Sequence, residues 1–480
     1  MSQNPLLATV EASHTFVELD DLLSRQRAYA TVLRETTYRE RREKLARIQR
    51  YLDQSENVDR LIAALKQDFG KPEVETVTSE LAVVYSHLKH VRANLKRWME
   101  PKKLPGSLAT AGITSYLYLE PKGSALIVSP WNYPFNLTLI PLIYAISAGC
   151  TAIVKPSEMS PATTQYIQLM LAELFEELEV AVVTGQGDTA AHLTSLPFDH
   201  IFFTGSPAVG KKVMAAAAEN LTSVTLELGG KSPAVIDRDV KQRKSAENTV
   251  WGKCFNAGQT CIAPDYLLVH EQIFTSYVTE LTGAIERFYG PAPEASDSYA
   301  RIINHKHFDR LKDLFDDAVA KGATVACGGQ FDREQRYVAP TILTDVTDEM
   351  NILHEEIFGP LWPVMSYGHL DEAIQFINAR PKALSFYVQS NNRTTINELK
   401  RRTSSGGLLV NEYLLGGGTA QVPFGGVNNS GIGKSFGYHG FVEFSNERAV
   451  MERKWFDLSI AYPPYTDFIR ESLRKVYRWM

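Results

Sequence analysis

Residues 124–129 read SALIVS, and this apolar run is the first of four that decide the fold. The others are TAIVKP at 151–156, VAVVTG at 180–185 and HIFFTG at 200–205, with helical patterns near 136–148, 161–178, 188–195 and 207–219. Apolar runs that alternate with helices predict a parallel sheet covered on both faces, as in dinucleotide-binding domains. The predicted fold class is therefore α/β, and ligands should bind beyond the carboxyl ends of the strands.

The segments upstream of this sheet are mainly helical. Apolar residues recur at helical spacing within 37–67, and a further helix is expected over 73–99. The run TSYLYL at 114–119 looks like a strand arm.

Downstream, a second α/β region follows the motif ELGGKSP at 227–233. We expect helices at 238–257, 272–287 and 304–321 and a strand at 266–270. Glycine and asparagine are dense from 406 to 440, which is typical of ordered active-site loops rather than of a linker.

The composition is that of a soluble globular enzyme. The chain has 480 residues, 44% of them hydrophobic, and is long enough for two or three domains with full cores. A net charge of −5 provides no basic footprint for nucleic acid. The four cysteines form neither a disulfide framework nor a CxxC zinc pattern, so no metal site is expected; they are Cys150, Cys254, Cys261 and Cys327.

Targeting signals are also missing from the sequence pattern. The N-terminus, MSQNPLLATVEASHTFVELDD, lacks a basic segment followed by a long apolar run, so no secretory signal is expected. No stretch reaches about 18 uninterrupted apolar residues, so we expect no integral membrane anchor. The cysteine usage favours a reducing compartment, and the predicted location is the cytoplasm.

Two glycine turns compete for the phosphates of a dinucleotide. Gly185–Ala190 matches GxGxxA, but at the third strand and without the expected acidic residue about 20 positions on. Thr204–Gly210 is favoured, because a strand ends there and a helix opens with Ser206 as N-cap and Pro207 at its first position. The free amides of a helix N-terminus form a ready anion site.

Lys155 and Glu158 lie in KPSE at the end of the second predicted strand. In that place they can bond both ribose hydroxyls of an adenosine. Alone, the two residues would be read as a solvated ion pair in a loop. The Gly205–Gly210 turn nearby favours the functional interpretation.

Cys261 lies in the turn GQTCIA at 258–263, which is open to a substrate. At a free pKa of about 8.5 only a small fraction of a thiol is ionised at pH 7, so other groups must assist it. Cys254, seven residues earlier, is the alternative thiol. A lone intracellular cysteine is more often a small buried hydrophobe, so the assignment depends on its neighbours.

Two polar residues supply such neighbours. Glu227, between an apolar strand and a double glycine, could act as a base on water, with the glycines leaving room for its movement. Asn132, after Pro130-Trp131, offers an amide that could hold a developing oxyanion. Each would be interpreted as structural by itself. Together with Cys261 they make a nucleophile, a base and a donor.

The ordered motifs of the chain resemble the aldehyde dehydrogenase superfamily over roughly residues 100–450. Seven motifs carry the resemblance: PWNYP, KPSE, FTGSPAVG, ELGGKSP, GQTCIAPDY, EEIFGP and PFGGVNNSGIGK. The short N-terminus, WGK before the cysteine motif and the ending HGFVEFSNERAV are similar to the class-three branch, which includes fatty and aromatic aldehyde dehydrogenases. Bacterial coniferyl aldehyde dehydrogenases are the most similar in overall character.

The resemblance implies a role for each matched residue. Cys261 would be the nucleophile, Glu227 the general base and Asn132 the oxyanion donor, together with the Cys261 amide. Lys155, Glu158, Gly205, Ser206 and Gly210 would line the adenosine and pyrophosphate of the cofactor. Glu356 and Phe358 of EEIFGP would reach the nicotinamide ribose and ring.

The resemblance also implies a domain plan. An NAD(P)-binding domain would comprise 1–106 and 121–229, and a catalytic domain 230–415. A β oligomerisation arm with active-site loops would comprise 107–120 and 416–445, with strands at about 107–120 and 424–440 paired and joining two subunits of a homodimer. Residues 446–480 would form a C-terminal extension, which is broken by Pro463-Pro464 and is not an apolar anchor.

The implied reaction is oxidation of an aldehyde to a carboxylic acid through a thiohemiacetal and a thioester on Cys261. The alternatives are acyl transfer to coenzyme A, against which the carboxylate of Glu227 speaks, and a non-catalytic binding or structural relative. Glu158 favours NAD, with NADP possible. Aromatic and aliphatic residues near the motifs favour coniferyl-type or medium- to long-chain aldehydes; they are Tyr133, Trp251 and Tyr413-Leu414-Leu415.

Overall fold

The computed structural model describes residues 13–107, 110–455 and 462–477. The twelve N-terminal residues, for which no secretory signal is expected, and parts of the 446–480 segment lie outside this range. The strands are β1 Lys102–Lys103, β2 Ile113–Pro121, β3 Ser124–Val128, β4 Thr151–Lys155, β5 Val180–Val182, β6 His200–Gly205, β7 Ser223–Leu228, β8 Pro233–Ile236, β9 Tyr266–His270, β10 Thr324–Cys327, β11 Phe331–Asp332, β12 Tyr337–Val338, β13 Thr341–Thr344, β14 Leu361–Tyr367, β15 Ser385–Gln389, β16 Gly407–Val410, β17 Gly431–Ile432 and β18 Ser445–Arg453.

Helices surround these strands. They are α1 Phe16–Arg34, α2 Tyr38–Leu52, α3 Ser55–Phe69, α4 Glu73–Thr76, α5 Ala82–Met99, α6 Asn136–Ala148, α7 Pro161–Leu174, α8 Gly187–Ser195, α9 Pro207–Ala218, α10 Gln242–Cys254, α11 Phe274–Tyr289, α12 His305–Ala320, α13 Leu370–Asn378, α14 Arg393–Arg402, α15 Gly437–Glu443 and α16 Asp467–Val476. In the described part of the chain, no helix is both long and apolar enough to cross a membrane.

The first sheet has the strand order β17-β7-β6-β3-β4-β5, and β3 to β7 run parallel. β3 and β4 are buried along their whole length, as expected when helices cover both faces of a parallel sheet. The predicted parallel α/β sheet is confirmed. Because the chain leaves β3 toward β4 and later returns to β6 on its other side, the carboxyl ends of β3 and β6 meet at a switch point, where ligands of such sheets bind.

The second sheet has the order β10-β13-β14-β9-β8-β15-β16. All its neighbouring pairs are parallel except β10 with β13. β8 follows β7 directly, so the two sheets are linked through residues 229–232, at the carboxyl end of the first sheet. The cysteine segment, between α10 and β9, belongs to this second unit.

The arm differs from the expectation. β2 pairs antiparallel with β18 over nine positions, from Pro121 opposite Ser445 to Ile113 opposite Arg453, and β1 pairs on its other side. The predicted pairing of 107–120 with 424–440 is therefore wrong, and residues 446–453, expected to open a C-terminal extension, complete the arm. The glycine-dense segment instead lies against the first sheet, where Gly431 pairs with Glu227 of β7.

The helix expected over 73–99 is divided. A π-helical turn, Val77–Leu81, separates α4 from α5. Its wider hydrogen-bonding ring rotates Glu80 into the interior, where this side chain is fully buried.

Candidate active site

A cavity of about 800 Å³ lies at the carboxyl ends of the first sheet and faces the second unit. Seven residues that the sequence singles out share its wall: Asn132, Gly205, Ser206, Glu227, Cys261, Glu356 and Phe358. Lys155, Glu158 and Gly210 are not on this wall. The cavity therefore unites the three candidate catalytic residues with part of the predicted nucleotide site.

The turn that carries Cys261 begins with a strained backbone. Asn256 and Ala257 have φ of 56° and 51°, in the left-handed region that residues other than Gly, Asn and Asp rarely adopt. At Gly258, with φ 75°, a Cβ would overlap the carbonyl of Gly359. The turn then closes with a bond from the Ala263 N–H to the Thr260 carbonyl at 2.9 Å, which places the Cys261 thiol toward the cavity.

Asn256 joins this turn to the loop of Asn132. Its Nδ2 donates to the Asn132 carbonyl at 2.9 Å, and the Asn132 Nδ2 donates to the Gln259 carbonyl at 3.0 Å. The second hydrogen of the Asn132 amide remains for a ligand. Sequence reasoning missed Asn256; the signal was an asparagine beside small residues before the cysteine, where a left-handed backbone is tolerated.

A buried ion cluster supports both loops from beneath. Lys71 Nζ lies 3.1 Å from Glu80 Oε1 and 3.8 Å from the centre of the Tyr133 ring. Glu80 Oε2 accepts the N–H of Asn136 at 2.7 Å, at the start of α6. The Tyr133 hydroxyl in turn lies 2.6 Å from Thr260 Oγ1, in the cysteine turn. Burial lowers the pKa of Lys71 and raises that of Glu80, and their mutual attraction opposes both shifts.

Glu227, near the end of β7, is 6% exposed. Its Oε1 accepts a hydrogen bond from Ser435 Oγ at 2.7 Å, whereas its Oε2 has no partner within the described residues. Burial raises the pKa of Glu227 to about 8, although Ser435 and Lys434 favour the ionised form. A carboxyl group with such a pKa can both take up and release a proton near neutral pH.

Cys261 is half-buried and its thiol faces the cavity. Burial raises its pKa, and the nearby carboxylates of Glu356 and Glu227 raise it further. The thiolate is therefore disfavoured while both carboxylates are ionised, and a base or a positive charge has to assist its formation. Cys254 is fully buried in the second core, and burial raises the pKa of its thiol as well.

The double glycine after Glu227 leaves room for a different side chain than expected. A Cβ on Gly229 would overlap the carboxylate of Glu356, so this glycine allows Glu356, rather than Glu227, to approach. Burial and Asp265 raise the pKa of Glu356 to about 8. Phe358, with φ 49°, packs edge-on against Trp131 at 5.3 Å between ring centres.

The nucleotide residues stand at the ends of β4 and β6. Lys155 Nζ and Glu158 Oε2 form an ion pair of 2.5 Å at the end of β4. Ser206 caps α9 with its hydroxyl and Pro207 begins the helix, as predicted. A Cβ on Gly210 would overlap the Leu228 side chain, so this glycine serves close packing of α9 on β7.

A second cavity, of about 30 Å³, also borders Cys261 and Glu227. Its wall is otherwise almost entirely apolar and is made by Leu137, Ile140, Pro141, Phe202, Thr204, Leu384, Phe424, Ser435 and Phe436. Of these, the stacked rings of Phe424 and Phe436 lie 4.9 Å apart. Cys261 and Glu227 thus line both the large cavity, which mixes apolar and charged side chains, and the small apolar one.

The aromatic residues expected to wall the substrate site lie elsewhere. Tyr413 is fully buried in the second core with its hydroxyl 3.0 Å from Thr249 Oγ1, and Trp251 packs edge-on against Phe255. Tyr133 is held between Lys71 and Thr260. Apolar walls are present, but residues from α6 and the glycine-rich segment supply them.

No group of three or more His, Cys, Asp or Glu side chains is arranged to hold a metal ion in the described ranges.

Comparisons with known proteins identify the family of the chain. A family model described as "Aldehyde dehydrogenase family" matches residues 4–450. Rat aldehyde dehydrogenase family 3 member B1 is 43% identical over 416 residues, which cover 86% of this chain and 87% of the rat protein. A protein named probable coniferyl aldehyde dehydrogenase, from Caulobacter vibrioides, is 39% identical over 423 residues, 85% of this chain and 87% of its own.

A solved structure shares the fold along nearly the whole length. Staphylococcus aureus AldH, in a substrate-bound state, superimposes with a TM-score of 0.91 at 36% sequence identity. The match covers 96% of this chain and 99% of that one.

Proposed function

Since the chain belongs to the aldehyde dehydrogenase family, it is an oxidoreductase that oxidises aldehydes, and we propose that Cys261, Glu227 and Asn132 carry out this reaction. One observation carries the assignment. Cys261 and Glu227 border both cavities, and Asn132 borders the larger one. An aldehyde that reaches Cys261 along the apolar side chains of the small cavity and a dinucleotide in the large one would therefore meet at the same thiol and carboxylate.

The residues of the large cavity fit a nicotinamide dinucleotide. Gly205 and Ser206 lie at the N-terminus of α9, whose free amides suit a pyrophosphate. Lys155 and Glu158 are proposed to hold the adenosine ribose, and Glu356 and Phe358 the nicotinamide ribose and ring. When bound, the cofactor supplies the acceptor for the substrate hydride. Gly210 contributes through the packing of α9.

In the first half of the reaction the Cys261 thiol loses its proton to solvent and its sulfur adds to the aldehyde carbon. The carbonyl oxygen then carries negative charge, and the free hydrogen of the Asn132 amide and the Cys261 N–H stabilise it. Collapse of this oxyanion to a carbonyl would release the hydrogen of the same carbon as a hydride and leave the thioester on Cys261. One such donor is typically worth about 3 kcal/mol of transition-state stabilisation. Because the Asn132 side chain and carbonyl are already bonded to Gln259 and Asn256, the donor is held in place before the substrate arrives.

In the second half Glu227 takes a proton from water. The water oxygen bonds to the acyl carbon of the thioester, the carbon–sulfur bond breaks with its electron pair on Cys261, and the carboxylic acid leaves. Glu227 Oε2, for which the described part of the chain provides no hydrogen-bond partner, is the atom proposed to receive the proton. Its raised pKa suits a base that must both accept and release a proton.

The apolar wall of the small cavity supports a proposal for the substrate class. Rings and branched side chains surround the space next to Cys261, with no charged side chain other than Glu227. We propose an aromatic aldehyde of the coniferyl type, or a medium- to long-chain aliphatic one. Each buried methylene is worth about 0.8 kcal/mol, so a few suffice for a hundredfold preference over acetaldehyde.

NAD is the proposed cofactor, with NADP usable. The Glu158 carboxylate can accept hydrogen bonds from ribose hydroxyls but repels a 2′-phosphate. The 2.5 Å pair with Lys155 partly offsets that charge, which supports the use of NADP as well.

The domain plan remains a proposal in which the arm is β1, β2 and β18. β18 is a nine-residue edge strand with mostly exposed side chains. Such an edge can pair with another chain, which supports a homodimer. Four free cysteines support a reducing, cytoplasmic location.

The deciding experiment mixes purified protein with NAD and a panel of aldehydes, without coenzyme A, and follows NADH absorbance. We expect turnover with cinnamyl-type or medium-chain aldehydes. Formation of NADH that requires coenzyme A would indicate acyl transfer instead, and no NADH with any aldehyde and either cofactor would remove the proposed roles.

A further inference from the structure

Ser435 follows the glycine-rich motif directly and reaches Glu227 from the neighbouring loop. Its Oγ donates to Glu227 Oε1 at 2.7 Å, and the residues are only 3% and 6% exposed. Glu227 Oε2, by contrast, has no partner among the residues that the structure describes. One oxygen of the carboxylate is held and the other is left for a ligand near Cys261.

The backbone of Ser435 is itself fixed. Its N–H donates to the Phe424 carbonyl at 2.7 Å, and the Phe424 N–H donates to the Ser435 carbonyl at 2.9 Å. The same Phe424 carbonyl lies 3.3 Å from Ser435 Oγ. The hydroxyl therefore has two acceptors in reach but only one hydrogen to donate.

These two acceptors let Ser435 serve both protonation states of Glu227. When Glu227 is ionised, the hydroxyl donates to Oε1. When Oε2 carries a proton, that bond can persist; when Oε1 carries it, the acid donates to Ser435 Oγ and the hydroxyl turns to the Phe424 carbonyl. In every case Oε1 keeps a hydrogen-bonded partner, so the side chain is not left unpaired in the interior.

Resting on the proposed role of Glu227 as the general base, we propose that Ser435 is a positioning residue that holds this carboxyl group in both protonation states during thioester hydrolysis. The water proton moves to Glu227, the water oxygen bonds to the acyl carbon, and the electron pair of the broken carbon–sulfur bond stays on Cys261. Ser435 also lies on the wall of the small cavity, but its proposed role is exerted through its hydrogen bond to Glu227.

The charged groups near Glu227 are held by hydrogen bonds to residues other than Ser435. Lys434 Nζ bonds the carbonyls of Gly425 and Gly426, and Glu443 accepts from the Lys434 N–H and from Thr225 Oγ1, each at 2.8 Å. Lys434 favours ionised Glu227, while Glu443 and the Cys261 thiolate oppose it. Loss of the Ser435 donor should therefore raise the pKa of Glu227 with these charges unchanged.

The test compares Ser435→Ala with Ser435→Thr, which keeps the hydroxyl, and with Ser430→Ala. Ser430 is a buried serine of the same segment whose hydroxyl bonds the backbone of Val427. Pre-steady-state NADH formation and steady-state turnover are measured from pH 5.5 to 9.5. For Ser435→Ala we expect an undiminished burst of NADH and several-fold slower steady-state turnover below pH 8. The rise of turnover with pH should have its midpoint about one pH unit higher than in the wild type. In Ser435→Thr and Ser430→Ala, turnover should rise over the same pH range as in the wild type.

The possible failures are distinguishable. Full turnover of Glu227→Gln would remove the proposed base itself. If Glu227→Gln stalls after its NADH burst but Ser435→Ala has the wild-type pH profile of turnover, only the role of Ser435 is overturned. The same holds if Ser435→Ala loses the NADH burst and the steady-state turnover equally, with no shift of the pH profile. If Ser435→Ala does not fold, Ser435→Cys, whose thiol is a weaker donor, should shift the rise of turnover to higher pH. An unshifted pH profile in Ser435→Cys would also overturn the positioning role of Ser435.

Discussion

The backbone N–H of Asn256 donates to Glu75 Oε2 at 2.9 Å, and this bond ties the cysteine turn to the helical layer beneath it. Asn256 has a left-handed backbone, so the turn depends on its surroundings to keep its shape. Burial raises the pKa of Glu75 to about 7, while Lys71 and the Asn256 N–H favour its ionised form.

Glu75→Ala should lower the free energy of unfolding by about 1–3 kcal/mol, because it leaves a buried N–H without an acceptor. It should also lower kcat, since the turn carries Cys261. Glu75→Gln, which retains an acceptor oxygen, should lose less of both. Urea denaturation and steady-state kinetics measure the two effects. Glu73→Ala, an exposed glutamate two residues earlier, is the matched control, and equal losses there would contradict the role of the bond.

Cys261→Ala should abolish dehydrogenase turnover while NAD binding and the melting temperature stay near wild type, because the thiol faces a cavity and supports no packing. Cys254→Ala should stay active but less stable, since that side chain is in the core. NADH absorbance, fluorescence titration with NAD and thermal melting report the three properties. An inactive Cys254 variant beside an active Cys261 variant would reverse the assignment.

Glu227→Gln should give one burst of NADH and then stall as a thioester, because the water is no longer activated. In the wild type the carboxyl must be ionised to act, so turnover should rise with pH and reach half its plateau near pH 8, the raised pKa of Glu227. Rapid-mixing absorbance measures the burst of NADH, and mass spectrometry detects the trapped acyl-enzyme. Steady-state turnover measured against pH tests the expected midpoint. A steady turnover at wild-type rate would show that another base serves this step.

Glu158→Gln should narrow the gap between NAD and NADP, because the charge that repels a 2′-phosphate is gone. The ratio of kcat/KM for the two cofactors measures the effect. Glu173→Gln, an exposed glutamate on α7, should leave the ratio unchanged. A wild-type enzyme that prefers NADP would contradict the charge argument.

Ile140→Ala should weaken the preference for long or flat aldehydes, since it removes part of the apolar wall next to Cys261. The wild type is expected to favour cinnamyl-type or medium-chain aldehydes over acetaldehyde by about a hundredfold in kcat/KM. Leu142→Ala, a buried residue on the same helix but off the cavity wall, should lower stability without changing the ratio. If acetaldehyde is the best substrate of the wild type, the pocket assignment is wrong although the family stands.

Local patterns predicted the parallel sheet well. The apolar runs that became β3, β4, β5 and β6 are short, bounded by turn residues and separated by helices, and Ser206-Pro207 marked the start of α9 directly. Such signals lie within a few residues of one another, so the sequence displays them.

Contacts between distant segments were not predictable in this way. Ser435 lies 208 positions from Glu227, and the pairing of β2 with β18 brings together strands more than 300 residues apart. Nothing in the glycine-dense stretch distinguishes a residue that reaches a carboxylate from one that supports a turn. The aromatic residues next to the motifs were misplaced for a similar reason, because adjacency in sequence does not determine which side of a loop faces the core.

The absence of a side chain at Gly258 has a mechanical consequence. Its backbone packs against the carbonyl of Gly359, so we expect a displacement of the loop of Glu356 and Phe358 to displace the loop of Cys261 as well. Any rocking of the first loop while a cofactor enters or leaves would be transmitted to the sulfur atom. We therefore expect the exchange of the cofactor to affect the alignment of the thiol through this backbone contact.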